Sequence, residues 1–347
     1  MAELEFGNRD NLFNIAQAFG DDGLRAMAQN LVEVNPLVKF LPMYPANQGM
    51  AHEDSRWDSL PSGTFIALGD APASDFARTS KYREVLGYLA GRYSVPEDIL
   101  QAKGTPEQQS RYRWLQERAR MEGMTQGLAN ALVRGTSVGA PEKLDGILTR
   151  APWNAAANTE YVFDVSGTTN LRHAIMLKPG EDTISLLYPK YHNTGGIQRI
   201  DRGLVPTTVT STDANGTASR TRFDFMTDFK WFVGWNINNQ KAVKVIANID
   251  ITYANITELL IRKVIEAANL HTVISSMPGA VNPDEMTETP WHLFVDPYTY
   301  IQFVTLALYK GNVQYDANNP YRIQLHHIDN IIIHKMDALN YSASQIV

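Results

Sequence analysis

Four polar residues near the end of the chain have the types and spacing that could support chemistry: His326, His327, Asp329 and His334. Side chains alternate between faces along a β-strand, so His327 and Asp329 would share one face. A carboxylate beside an imidazole can hold a metal ion or act as a base. The same alternation puts His326 on the other face, and the apolar run 331–333 indicates a core environment. We therefore interpret the histidines as structural, and predict no metal site, no cofactor site and no catalytic residue.

Three tryptophans, Trp153, Trp231 and Trp235, are the other candidates, because exposed indole rings stack on sugars or bases. Trp231 and Trp235 have apolar neighbours and no interleaved basic cluster, which favours a place in the core. A β-rich carbohydrate-binding or glycan-cleaving domain that combines these tryptophans with nearby carboxylates stays an alternative. It would predict a monomer with exposed tryptophans. A nucleic-acid-binding protein is a third interpretation, which the net charge of -6 disfavours.

The composition excludes several classes of function. The chain has 347 residues and 44% hydrophobic content, enough for a sizeable core in one or two domains. It has no cysteine, which rules out disulfides, thiolate nucleophiles and zinc sites with cysteine ligands. The glycine-rich nucleotide motifs, the Gly-x-Ser-x-Gly motif and the His-Glu-x-x-His motif are missing. The start lacks a signal-peptide pattern, and no stretch approaches the roughly 20 apolar residues of a membrane span, so we expect a soluble protein with no membrane partner.

A long helix is predicted over 106–134. Thr105 and Gln108 form a capping box, and Pro106 suits the first helical position. Gly123 and Gly127 weaken a helix interior, so we expect a strand to cross the helix closely there. The residues at spacings of three and four predict one apolar stripe that faces a core: Trp114, Met121, Met124, Leu128 and Leu132.

A long antiparallel strand is predicted within 222–250. Aromatic or apolar residues recur at every second position with one gap, which places them on one face: Phe223, Phe225, Phe229, Trp231, Val233 and Trp235. We expect four polar residues nearer the other face: Asp224, Thr227, Lys230 and Asn236. Upstream, Asn215-Gly216 between threonine-rich arms predicts a hairpin turn.

The segment from Pro36 to Ser80 is rich in Pro, Gly, Ser and Asp, and carries isolated large side chains, among them Trp57, Leu60 and Phe65. Structureless loops longer than roughly 12 to 15 residues are uncommon within a compact domain, unless they are functional or extended. We therefore predict an extended element that leaves the subunit's own core. A disordered linker is the alternative, although tryptophan and phenylalanine are unusual in linkers.

Several blocks in consistent order resemble the major capsid proteins of short-tailed, double-stranded DNA phages, whose shells have the Hong Kong 97-type fold. The blocks lie at 56–65, 106–134, 140–152, 183–204, 222–250, 291–311 and 328–339, so the resemblance spans roughly 35 to 340. It implies an α+β chain with an N-terminal arm at 1–45, an extended E-loop hairpin at 46–80 and a peripheral domain at 81–250. The peripheral domain contains a long spine helix, 106–134. An axial domain follows at 251–347.

The resemblance also implies a function. A major capsid protein self-assembles into hexamers and pentamers of an icosahedral shell, which encloses double-stranded DNA by containment. The implied partners are further copies of the chain, a portal protein, and separate scaffolding or decoration proteins. In the E-loop, Trp57, Leu60 and Phe65 would bury themselves on neighbouring subunits. We expect a non-enzymatic virion protein that is assembled in the cytoplasm of a bacterial host.

Overall fold

The computed structural model describes most of the chain from Asn35 onward. The described residues are 35–59, 63–71, 74, 76, 78–138, 140, 143–181, 183–192, 196–213, 216–252, 258–270, 290–309, 327–328, 331–341 and 343–346. Most of the expected N-terminal arm, residues 1–34, therefore lies outside the described residues, as do Leu60, His326 and Asp329.

The described residues form five α-helices and thirteen strands. The helices are α1 (Pro36–Phe40), α2 (Glu97–Gln101), α3 (Pro106–Arg134), α4 (Leu259–Asn269) and α5 (Pro297–Tyr309). The first nine strands are β1 (Met43–Pro45), β2 (Ala51–Ser59), β3 (Arg78–Val85), β4 (Gly87–Pro96), β5 (Val162–Asp164), β6 (Leu171–Leu177), β7 (Ile184–Tyr188), β8 (Ile197–Asp213) and β9 (Gly216–Ile237). The last four are β10 (Val243–Asp250), β11 (Trp291–Val295), β12 (His327–Ile328) and β13 (Ile331–Lys335).

The first sheet is organised by β9, the long strand that the alternating aromatic pattern predicts. It runs in the order β1-β7-β9-β4, and β8 also pairs with β9. The β8 and β9 pairing extends from Ile197 opposite Trp231 to Asp213 opposite Gly216, and Asn215 of the predicted turn lies outside the described residues. The aromatic face is buried against α3 at Phe229, Trp231 and Trp235.

One polar residue of β9 lies on a different face from the one expected. Thr227 is buried, and its hydroxyl donates to Oε1 of Glu117 on α3 at 2.9 Å. Strict alternation explains this position, because Thr227 is two residues from Phe229 and shares its face. The expectation that Thr227 points away from the aromatic side chains is wrong.

Helix α3 spans Pro106–Arg134, the range that the sequence predicts, and both halves of the Thr105 and Gln108 capping box are formed. Four residues of the predicted stripe are buried against the first sheet: Met121, Met124, Leu128 and Leu132. The fifth is not, because Trp114 is 50% exposed. The first turns face the sheet through Tyr112 and Arg113, whose side chains lie near Tyr93 and Phe225 respectively. Trp114 points within about 20° of Met121, seven residues later, so its exposure reflects its place near the start of the helix and not the direction of its side chain.

The predicted close crossing occurs at a glycine of the strand, not at glycines of the helix. Gly123 and Gly127 are exposed, and a Cβ at either position would have no neighbour within 4 Å, so the expectation of a strand packed there is wrong. At Gly91 of β4, a Cβ would lie 2.4 Å from the sulfur of Met124. The helix approaches β4 closely because Gly91 has no side chain.

The second sheet has the order β12-β13-β11-β6-β10-β5. One face packs into the same core as α3, and α4 and α5 cover the other face. Strands β5, β6 and β10 come from 81–250, whereas β11 to β13 come from 251–347. A domain boundary at 250 would therefore divide a single sheet. All eight residues of β10 are buried, consistent with an interior strand covered on both faces.

Strands β2 and β3 form a separate two-stranded sheet, paired from Ala51 opposite Val85 to Ser59 opposite Arg78, with a register shift between Trp57 and Ser59. Strand β2 lies within the segment predicted to leave the core, and β3 extends past the predicted end at Ser80 to Val85. We call the connecting residues 60–77 the tip.

Within the described part of the chain, no helix is long and apolar enough to cross a membrane.

Candidate assembly surfaces

The β2–β3 hairpin is fastened to the body of the subunit at its base. The Tyr82 hydroxyl donates to Oδ1 of Asn236 at 3.2 Å and also contacts Asn238. Arg150 donates to Glu84 at 2.8 Å, with both side chains largely covered. Burial raises the pKa of the Glu84 carboxyl, and the Arg150 guanidinium opposes that rise. The base is therefore fixed by polar contacts to β9 and to the segment after α3.

Beyond its base, the hairpin presents apolar side chains to solvent. In the tip, Phe65 and Leu68 are fully exposed, Phe76 is 78% exposed, and Ile66 is about half exposed. Trp57 lies in β2 opposite Thr79. Large apolar side chains gain about 1.5–3 kcal/mol each when they are buried, so this exposed cluster is a candidate contact surface.

In contrast, polar groups between α3 and the first sheet are paired within the subunit. Glu117 accepts from Nη2 of Arg199 at 2.8 Å and from the Thr227 hydroxyl. Arg113 lies 3.8 Å from the same carboxylate and 2.9 Å from Asp201. The carboxylate of Glu117 is buried, and its partners supply the compensating charge and hydrogen bonds that a buried ion needs.

The face of the first sheet opposite α3 carries a hollow of about 470 Å³. Its polar lining centres on the buried Asp228, which accepts from Nε of Arg92 at 2.6 Å and from Nε of Arg202 at 2.5 Å. Hydrogen bonding by Arg92, with help from Arg202, lowers the pKa of Asp228 to about 2, so the carboxyl is ionised at neutral pH. Lys230 also lines the hollow.

A β-bulge directs Arg202 into this hollow. The register of β8 against β9 shifts between Asp201 and Gly203, which leaves Arg202 as the extra residue. Gly203 has a φ of 66°, the left-handed conformation that glycine adopts without strain. Next to the cations, the rings of Tyr88 and Phe232 stack with centroids 4.7 Å apart. This hollow is not predicted by the sequence pattern; its one local signal is the Asp-Arg-Gly of the bulge.

Of the four polar residues considered near the end of the chain, the structure describes His327 and His334, and His334 contacts a histidine of another strand. His334 on β13 pairs with His292 on β11, with Nε2 of His334 2.8 Å from Nδ1 of His292. His292 is buried, and burial lowers its pKa to about 4. Phe40 stacks on His334 at a centroid distance of 4.0 Å. His327 is placed in β12, opposite Ile332. Among the described residues, no group of three or more His, Asp or Glu could hold a metal ion.

The tryptophans proposed for saccharide binding are core residues. Trp153, Trp231 and Trp235 are each at most 1% exposed. The Trp153 indole donates to the carbonyl of Val243 at 2.9 Å, and the Trp235 indole donates to the carbonyl of Leu132 at 3.2 Å. A sugar could not stack on rings enclosed in this way, so the carbohydrate-binding alternative is wrong.

Comparisons with known proteins agree with this description. A family model described as major capsid protein GP7 matches residues 20–347. A chain of the near-atomic structure of bacteriophage Epsilon15 is similar with a TM-score of 0.63 at 13% identity, over 89% of this chain and 88% of that one. The capsid of bacteriophage JBD30 is matched with a TM-score of 0.48 at 10% identity, over 88% and 91% of the two chains. No curated protein sequence matches the chain. The fold is the α+β Hong Kong 97-type fold that the resemblance implied.

Proposed function

Since this chain belongs to the family of major capsid protein GP7, we propose that contacts between its copies, not a catalytic cleft, carry its function. The chain is the shell protein of a phage, and it assembles with many copies of itself in the virion capsid. We propose further that the copies form hexamers and pentamers around double-stranded DNA, with a portal protein and with scaffolding or decoration proteins as partners. We place assembly in the cytoplasm of the bacterial host.

The observation that supports this mechanism is the hairpin. Its base is fixed by Tyr82 and Glu84, whereas Phe65 and Leu68 in its tip are fully exposed. We propose that the tip, with Trp57 and Leu60, becomes buried only when a neighbouring subunit arrives. Burial of two or three such side chains would stabilise the contact by several kcal/mol, at about 1.5–3 kcal/mol each. We expected an axial domain at 251–347; because β5, β6 and β10 belong to the same sheet as β11 to β13, we propose an axial domain that also includes these three strands.

This proposal predicts that changing the tip separates assembly from folding. Phe65→Ser combined with Leu68→Ser should leave helix content and melting temperature close to those of the parent, because neither side chain is packed in the subunit. The same variant should stop at monomers or loose capsomers. Folding is measured by circular dichroism and thermal melting of the purified protein. Assembly is measured by size-exclusion chromatography and electron microscopy.

A matched control uses exposed apolar residues outside the hairpin. Val138 and Tyr191 are 84% and 80% exposed, so Val138→Ser with Tyr191→Ser likewise replaces two exposed apolar side chains by hydroxyls, but outside the hairpin. The control should assemble like the parent. If the tip variant forms normal shells, the hairpin is dispensable and the proposed role of Phe65 and Leu68 is wrong.

A further inference from the structure

We propose that the hollow beside Asp228 is the surface that receives the hairpin tip of a neighbouring subunit. This inference rests on the proposed function, because it identifies where the tip docks. Four features support it: complementary charge, complementary apolar surface, the distance between the tip and the hollow of its own chain, and the arrangement of the cations around Asp228.

The charges of the two surfaces are opposite. Arg92, Arg202 and Lys230 line the hollow against one carboxylate, Asp228, which leaves two positive charges in excess. The whole chain carries a net charge of -6, so this excess is a local reversal. The tip contains Asp70 and Asp75, and it has no Lys, Arg or Glu. Opposite potentials of this kind fix the register of an interface and raise its association rate.

The apolar parts also match. The stacked rings of Tyr88 and Phe232 form an aromatic surface beside the cations, and Tyr88 is 45% exposed. The tip supplies large exposed side chains to cover it, including Phe65 and Leu68. An acidic segment that also carries aromatic and aliphatic side chains fits a basic hollow with an aromatic wall.

The hairpin holds its tip away from the hollow of its own chain. Tyr88 lies on β4, three residues after β3 ends at Val85. The tip joins the opposite end of β3, at Arg78. Eight residues of β-strand span about 25 Å, and β2 pairs along β3 over that length. A tip held at this distance can fill the hollow of another copy.

The arrangement around Asp228 favours a protein segment over nucleic acid. Arg92 and Arg202 are both bonded to Asp228, so Lys230 is the cation of the hollow that does not contact this carboxylate. Nucleic-acid affinity depends on many cations that are available to phosphates, and it rises with their number. A short segment that carries few acidic groups and several apolar ones needs fewer available cations.

Cysteine cross-linking tests the docking directly, because the natural chain has no cysteine. Ala67 lies in the tip and Ala90 lines the hollow, and both are exposed. A chain carrying Ala67→Cys and Ala90→Cys should form disulfide-linked oligomers in assembled particles under mild oxidation, because docking would bring the two Cα atoms within the roughly 4.4–6.8 Å that a disulfide spans. Non-reducing electrophoresis separates these linked oligomers as a ladder of bands.

The control pairs the same tip residue with a position on the other side of the sheet. Ala67→Cys with Glu122→Cys, on the exposed face of α3, should give monomers on the same gel. Intact particles of the first variant without a ladder, or equal ladders from both variants, would overturn the docking site. The proposed role of the tip would survive that result as long as the Phe65 and Leu68 double variant still fails to assemble.

A charge exchange provides the second test. Lys230→Glu and Asp70→Lys should each raise the protein concentration needed for assembly by several fold, and the two together should restore most of the loss. An effect of the double variant equal to the product of the single effects would refute the pairing. A 30-base-pair DNA duplex serves as the probe for the competing occupant. If Lys230→Glu abolishes DNA binding by unassembled subunits and Asp70→Lys changes nothing, the hollow is a nucleic-acid site and the docking inference is wrong.

Discussion

The contact between α3 and the first sheet differs from the hairpin tip in whether its side chains are buried and paired within the subunit. Along α3, Leu128 and Leu132 are at most 2% exposed, and the buried Glu117 has partners within the subunit. In the tip, Phe65 and Leu68 are fully exposed. The first region is packed within a single chain, whereas the second leaves apolar groups exposed to solvent, which we propose a neighbouring subunit covers.

This difference separates what the subunit needs to fold from what the shell needs to form. A segment that becomes ordered on a partner contributes little to the stability of its own chain and pays the entropy of ordering at assembly. The polar base of the hairpin reduces that entropy cost, because Tyr82 and Glu84 already fix the direction of the strands. Substitutions in the two regions should therefore affect different measurements.

The largest effect is expected from Leu128→Asp. The substitution would place an unpaired carboxylate in the contact between α3 and the first sheet, where Leu128 is 2% exposed. A buried charge without a partner costs on the order of 4 kcal/mol or more, a large part of a domain's stability. We expect no soluble folded subunit, and therefore no assembly, as judged by expression, circular dichroism and melting.

Arg111→Ala is the matched control, because Arg111 is exposed on the same helix. It should change the melting temperature by no more than a few degrees. If Leu128→Asp melted like the parent, the assignment of the buried face of α3 would be incorrect, and the contrast with the tip would lose its basis.

An intermediate effect is expected from Glu117→Ala. The change leaves Thr227 without its acceptor and removes the carboxylate beside Arg199. Removal of one member of such a buried network should lower the free energy of unfolding by about 2–3 kcal/mol, measured by denaturant titration. Glu122→Ala, an exposed position on the same helix, should have almost no effect. Equal losses from the two variants would show that the network adds nothing beyond helix propensity.

Local signals predict the elements of the fold well, because they act over a few residues. Thr105 and Gln108 specify the start of α3, and the alternation around Trp231 specifies β9. The place of Trp114 could not be predicted in this way. Its spacing matches the buried stripe, and its exposure reflects its place near the start of the helix.

The functional surfaces depend on contacts between distant parts of the sequence. Arg92 and Asp228 are 136 residues apart and meet only through the register of β4 against β9. His292 and His334 are 42 residues apart and meet through the parallel pairing of β11 with β13. Sequence spacing alone led instead to His327 and Asp329 as the partners of interest. Strand order and register are needed to identify such pairs.

The smallest effect at neutral pH is expected from His292→Asn. The pKa of His292 is lowered from 6.5 to about 4 by burial, so the folded subunit keeps the ring neutral. The unfolded chain takes up a proton as the pH falls through 6.5, and the folded chain does so only near 4. Stability linked to His292 is therefore complete above pH 6.5 and declines between pH 6.5 and 4. Asparagine carries no titrating group, and its amide can either donate or accept a hydrogen bond near the position of Nδ1.

We expect the parent and His292→Asn to melt at similar temperatures at pH 7.5, and the parent to lose more of its stability on acidification to pH 4.5. The tip contains no histidine, so the Phe65 and Leu68 double variant should follow the parent at every pH. His334 and its stacking contact with Phe40, with Lys39 over the Phe40 ring, are present in all three proteins. Parallel pH profiles for the parent and His292→Asn would show that His292 titrates at its ordinary pKa, and that this buried contact is more open to water than the contact along α3.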